Sequence, residues 1–101
     1  MGAAEFIVFS NNPDPDQAFM EARSSAQWES GHGGYTGTIA EKDNYIVIQR
    51  TPLEYVDAVA AAQHLLNIDD ERIADKWGPA GSLRVKDEKR DGWVFVGWAS
   101  S

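Results

Sequence analysis

Apolar residues fall in two rhythms along this chain, and the rhythms mark its elements. Phe6-Ile7-Val8-Phe9 is a continuous, β-prone run, which predicts a strand over Glu5 to Ser10 buried on both faces. Asn11-Asn12-Pro13 breaks it. Asp14 then offers a helix cap, Pro15 suits the first helical position, and Gln17 completes a D-x-x-Q spacing. Ala18, Ala22 and Ala26 recur every fourth residue with Phe19 beside them, one apolar face of a helix running to about Ser30. Gly31 is a natural stop.

Thr36 to Glu41 and Asn44 to Arg50 read as two strands, with Lys42-Asp43-Asn44 as their turn. In the second, Tyr45, Val47 and Gln49 alternate with Ile46 and Ile48, and both sets are largely apolar, so this strand is expected to be central. Thr51-Pro52-Leu53-Glu54 carries a cap, a first-turn proline and a glutamate three residues on, a helix start. Val56, Val59, Ala60 and Leu66 give that helix its apolar side. Asn67-Ile68-Asp69 interrupts it, and a short helix from Asp70 to Trp77 follows, closed by Gly78-Pro79. Ser82 to Asp87 alternates Leu83 and Val85 with Arg84 and Lys86, Asp91-Gly92 signals a turn, and Trp93 to Ala99 is strongly β-prone.

The order is β-α-β-β-α-α-β-β. It predicts an α+β fold: about five strands in an antiparallel or mixed sheet, with two to three helices on one face. The 101 residues form a single domain, 1–101. Trp93 and Phe95 share one face of the last strand and Val94 and Val96 the other. Core is the favoured reading. The alternative is a homo-oligomer in which a second copy covers one of two apolar faces.

Composition narrows the function classes. The net charge is −7, and Lys and Arg form no basic stripe of the kind a nucleic-acid backbone demands. General nucleic-acid binding is therefore disfavoured. Cysteine is absent, which removes disulfides and thiolate chemistry and suits a cytoplasmic protein. No apolar stretch approaches the about 18 residues of a membrane span, and no signal peptide is evident. No cofactor motif is read.

Candidate chemistry concentrates in Gly31-His32-Gly33-Gly34-Tyr35-Thr36-Gly37-Thr38-Ile39-Ala40-Glu41-Lys42. Four of the nine glycines fall within seven positions there. Glycine clusters mark unusual backbone angles or close approach by another group. The segment follows a helix and precedes a strand, the reverse of the dinucleotide fingerprint, and no glycine is followed by lysine as in a P-loop. An anion nest of another geometry stays open. His32 is suited to acid–base work or to hydrogen bonding an anion. Tyr35 is suited to stacking, Thr36 and Thr38 to phosphate oxygens, and Lys42 or Arg50 to balancing charge, with the amides of Gly33 and Gly34 between them. The same glycines serve equally as helix stop, turn and β-bulge, and Glu41 and Lys42 as an exposed ion pair.

His64 reads as helix surface. Asp69-Asp70-Glu71 and Asp14/Asp16 fit helix N-termini better than catalytic or calcium-binding carboxylates. Two histidines far apart, without acidic partners at ligand spacing, make a weak metal case.

The stretch Trp28 to Lys42 resembles a segment of small phage and prophage proteins. That resemblance implies an accessory protein that acts by binding, either inhibiting a host protein or sequestering a nucleotide signal used in defence. It carries over no site residue. The leading expectation is a non-enzymatic binding module for a small anionic, nucleotide-like ligand. Two alternatives stand beside it. One is a small phosphoester-cleaving enzyme using His32. The other is an acidic protein-interaction or inhibitor module presenting an acidic helix face or the tryptophan-rich edge.

Overall fold

β4 (Asp91–Ser100) is the most deeply buried strand, and the fold is organised around it. The computed structural model describes residues 2–30 and 36–100. Along the chain, β1 (Ala3–Ser10) leads to α1 (Pro15–Ser30), a 3-10 turn (Ile39–Glu41), β2 (Tyr45–Leu53), α2 (Tyr55–Asn67), β3 (Ala80–Lys86) and β4. Among the described residues the sheet has four strands in the order β1-β4-β3-β2. β4 runs antiparallel to both neighbours, and β2 is parallel to β3. A parallel pair needs a crossover, which α2 supplies.

The doubly apolar strands are covered within the chain. Phe6, Trp93, Phe95 and Ala99 pack against Ala18, Phe19 and Ala22 of α1. Leu83, Val85, Val94 and Val96, on the opposite face, pack against Ala58, Ala62, Leu65 and Leu66 of α2. The helices thus lie on opposite faces, not on one. Alternate residues of a strand point to opposite faces, so β4 needed cover on both sides and received a helix on each. The ground for a second copy covering one face disappears with it. The tryptophan-rich strand is central rather than an edge: Trp93 is buried, and its Nε1 donates to the Pro13 carbonyl at 2.9 Å.

Three further expectations are corrected. Thr36–Glu41 forms no strand among its described residues, since Thr38 caps the 3-10 turn instead. β2 lies at an edge, not the centre, because α2 returns the chain to its inner side. It also runs on to Leu53, so α2 begins at Tyr55 rather than after a Thr51 cap. Its N-cap, Glu54, makes no side-chain capping bond; the Tyr55 amide donates to Asp87 Oδ2 at 3.0 Å instead.

The stretch 70–77 is a series of turns, not a helix. The carboxylates of Asp70 and Asp75 accept from the amides two residues ahead, at 2.9 and 2.8 Å. Short acidic side chains compete with helix formation in this way. The apolar side expected from Val56, Val59, Ala60 and Leu66 is also shifted: Val56 and Ala60 are exposed, and α2 buries Ala58, Ala62 and Leu65 together with Leu66. The start of α1 is as expected. Asp14 accepts from the Asp16 amide at 3.0 Å and caps α1, which spans Pro15–Ser30. His64 is exposed on α2.

Candidate functional site

His32, Gly33, Gly34 and Tyr35, with the helix stop at Gly31, lie outside the described residues. The rest of the glycine segment is bonded internally. The Thr36 amide and hydroxyl both donate to Glu41 Oε2, at 3.1 and 2.9 Å. The Thr36 and Thr38 hydroxyl oxygens are 2.8 Å apart, and Thr38 Oγ1 accepts from the Ala40 amide at 3.2 Å. Gly37 adopts φ 71°, a left-handed angle suited to glycine. Its amide donates to the Ser100 carbonyl at 2.8 Å, tying the segment to the end of β4.

Lys42 is 1% exposed. Its Nζ donates to the carbonyls of Asp75, Lys76 and Gly78 at 3.3, 3.2 and 2.9 Å. Burial lowers the pKa of this ammonium, and the charge of Asp75 partly offsets that. Its stem passes over Gly97: a Cβ there would meet Lys42 Cε at 3.7 Å. Lys42 therefore joins the loop before β2 to the loop before β3, with its donors turned inward.

Arg50 is exposed on β2, across the sheet from β1. Thr36, Thr38 and Lys42 gather at the end where β2 and β3 begin, whereas Arg50 lies along the outer edge. The four described candidates do not converge on one hollow.

A cavity among the described residues lies elsewhere, a groove of about 790 Å³ between β1 and α1. β1 pairs only with β4, along its whole length from Ala3↔Ser100 to Ser10↔Trp93 without a register shift. Among the described residues no strand pairs with its other edge. Ile7, Val8 and Phe9 are half-buried on that edge. The α1 wall presents the small side chains Ala22, Ser25 and Ala26, and Gly37–Ile39 close one end. Among the described residues its charged lining is Glu5, Glu21 and Glu29, with no lysine or arginine. Glu21 Oε2 accepts from Asn12 Nδ2 at 2.8 Å. The glycine segment thus contributes an end wall, and β1, read from sequence only as core, contributes the floor. The available signal was the unguarded edge chemistry of Ala3–Ser10, which carries neither lysine nor proline.

A second hollow borders Asp16, Met20, Asp43 and Tyr45. The Tyr45 hydroxyl donates to Asp16, and burial together with that carboxylate pushes its pKa up to about 12. Near neutral pH it stays protonated and is a poor base. Among the described residues no group of three or more histidines or acids comes together to hold a metal ion. No described helix is long and apolar enough to cross a membrane. No family model matches this chain, and no curated protein or solved structure is significantly similar to it.

Proposed function

We propose that this protein is an interaction module that engages a partner protein through the groove between β1 and α1. One observation carries the reading: among the described residues, a strand edge of eight residues that no other strand pairs lies beside a hollow of mixed polar and apolar lining whose charged side chains are all acidic. An anionic, nucleotide-like ligand would meet repulsion from Glu5, Glu21 and Glu29 there. At the glycine segment it would find the Thr36 and Thr38 hydroxyls already bonded to Glu41 and to each other, and the Lys42 ammonium bonded to three carbonyls. The nucleotide reading and the His32 enzyme reading both turn on His32, outside the described residues. The acidic-module reading draws on residues whose positions are described.

A photo-crosslinking side chain placed at Val8, with a second at Gln49 on the opposite edge as control, tests this in cells that make the protein. The expected result is a discrete protein adduct at Val8 only, lost when Glu5→Lys and Glu29→Lys are combined. Absence of an adduct at Val8, together with a rise in Tm on adding a panel of linear and cyclic nucleotides, would return the assignment to the nucleotide reading.

A further inference from the structure

Two edges bound this sheet, and they are built differently. β2 carries the devices that keep an edge from pairing: Arg50, Pro52 and two register shifts, between Val47 and Gln49 and between Gln49 and Leu53. β1 carries none of them. Its eight residues keep continuous register with β4, and its sequence AAEFIVFS contains no lysine, no proline and one charge. Beyond the pairing with β4, the main-chain bond found from β1 among the described residues is at its end, where the Ser10 carbonyl accepts from the Asn12 amide at 3.0 Å. A regular edge strand offers every second N–H and C=O outward, ready for a further strand.

From this contrast, and resting on the interaction reading above, we infer that the groove receives an extended segment of a partner chain rich in lysine or arginine, which adds to β1 as a fifth strand. Main-chain bonds to the outer edge of β1 supply affinity, as in other cases of strand addition. Alternate side chains of the guest enter the groove over Ala22 and Ala26, whose small size leaves the room. Basic side chains at its flanks meet Glu21 and Glu29 on the α1 side, and Glu5 on the side it shares with Ile7 and Phe9. Charge decides between this guest and a second copy of the chain. Edge-to-edge pairing of two copies would bring two acidic grooves together in a protein of net charge −7. A basic strand instead meets complementary charge, which favours encounter and register.

The test uses the intact protein and a capped octapeptide with valine at its centre and lysine at both flanks. Its controls are the glutamate–valine counterpart and two N-methylated versions, one blocked at odd residues and one at even residues. Expected are binding of the lysine peptide, slowed amide hydrogen exchange in β1, and no binding of the glutamate peptide. Only one set of guest amides faces β1, so one methylated version should lose at least tenfold in affinity and the other should bind like the parent. Equal binding of both methylated versions would overturn strand addition while leaving the groove as an interaction site. Failure of the lysine peptide to bind, with the Val8 adduct still forming, would overturn the basic guest alone. Loss of both results would remove the interaction reading as well. Dimerisation of the protein by itself in sedimentation, with the same β1 amides protected, would assign the edge to a second copy and overturn the proposal.

Discussion

The carboxylate of Asp87 caps a helix that begins 32 residues earlier in the chain, accepting the Tyr55 amide at 3.0 Å. Its other oxygen accepts the amides of Lys89 and Arg90, at 2.9 and 2.8 Å, and so shapes the β3–β4 turn. The Tyr55 ring is held between Phe9, edge-on at 5.4 Å, and the Arg90 guanidinium at 4.1 Å from its centroid. One acid thus fixes the start of α2 and the turn that feeds β4.

Those amide bonds hold the Asp87 pKa below its ordinary 3.8, the Tyr55 amide contributing most. The unfolded chain therefore binds a proton that the folded chain resists. The contribution is complete above the ordinary carboxylate value and is lost as pH falls through the lowered one. Asp87→Asn should lower the urea midpoint at neutral pH. The gap to wild type should narrow steadily as pH drops below 3.8. A gap independent of pH would mean that the charge of Asp87 contributes nothing.

Lys42→Met should destabilise the fold by about 2 kcal/mol, read from the urea midpoint at constant m-value. Methionine keeps the stem over Gly97 but leaves the Lys76 and Gly78 carbonyls without the Nζ donor. The Asp75 carbonyl also accepts from the Gly78 amide at 2.9 Å and loses less. Relief from burying a charge opposes the loss, since apolar replacements of buried ions are sometimes neutral. The prediction is that two abandoned carbonyls outweigh that relief. An unchanged midpoint would show the opposite.

Reading the sequence recovers what is decided within a few residues. The Asp14 cap, the alanine face of α1 and the two-sided apolar character of β4 are local patterns, and the structure keeps them. What it misses is set from far away. Residues 70–77 carry helix-like composition, yet the carbonyls of Asp75, Lys76 and Gly78 turn toward Lys42, more than thirty residues earlier. Thr51-Pro52 looks like a helix start, but pairing of Leu53 with Val85 extends the strand, and Asp87 moves the cap to Tyr55. The groove was hidden for the same reason. The run Phe6–Phe9 announces a strand, whereas the openness of its edge follows from the strand order β1-β4-β3-β2, which no local pattern encodes.

Gly92→Ala should cost about 3 kcal/mol or more. Asp91-Gly92 reads as a turn signal, but both residues lie within β4. The glycine is there because β1 leaves the sheet directly over it. A Cβ at this position would sit 2.0 Å from the Ser10 carbonyl oxygen and 2.9 Å from Asn11 Cα. These are backbone atoms and cannot swing aside as a side chain would. Amide exchange should quicken at the Ser10 end of β1 in any variant that still folds. A fully stable alanine variant would show that this corner is looser than its contacts indicate.

Asp69→Gly should do the reverse and stabilise the protein by about 1 kcal/mol. Asp69 follows α2 with φ 52°, the left-handed region, which a residue with a Cβ enters at a cost. Its amide donates to the Leu66 carbonyl at 3.1 Å, and the Asp70 amide donates to the Leu65 carbonyl at 3.0 Å. That pair of bonds is the Schellman closure of a helix, whose turning residue is usually glycine. Glycine also gains freedom in the unfolded chain, which offsets part of the relief. Removing one acid from a chain of net charge −7 adds to the stabilising side. Calorimetry should show a higher Tm for Asp69→Gly and a smaller gain for Asp69→Asn, which keeps a Cβ but tolerates this angle and drops the charge. If asparagine gains as much as glycine, removing the Cβ contributes nothing beyond what the loss of charge and the tolerance of asparagine for this angle supply.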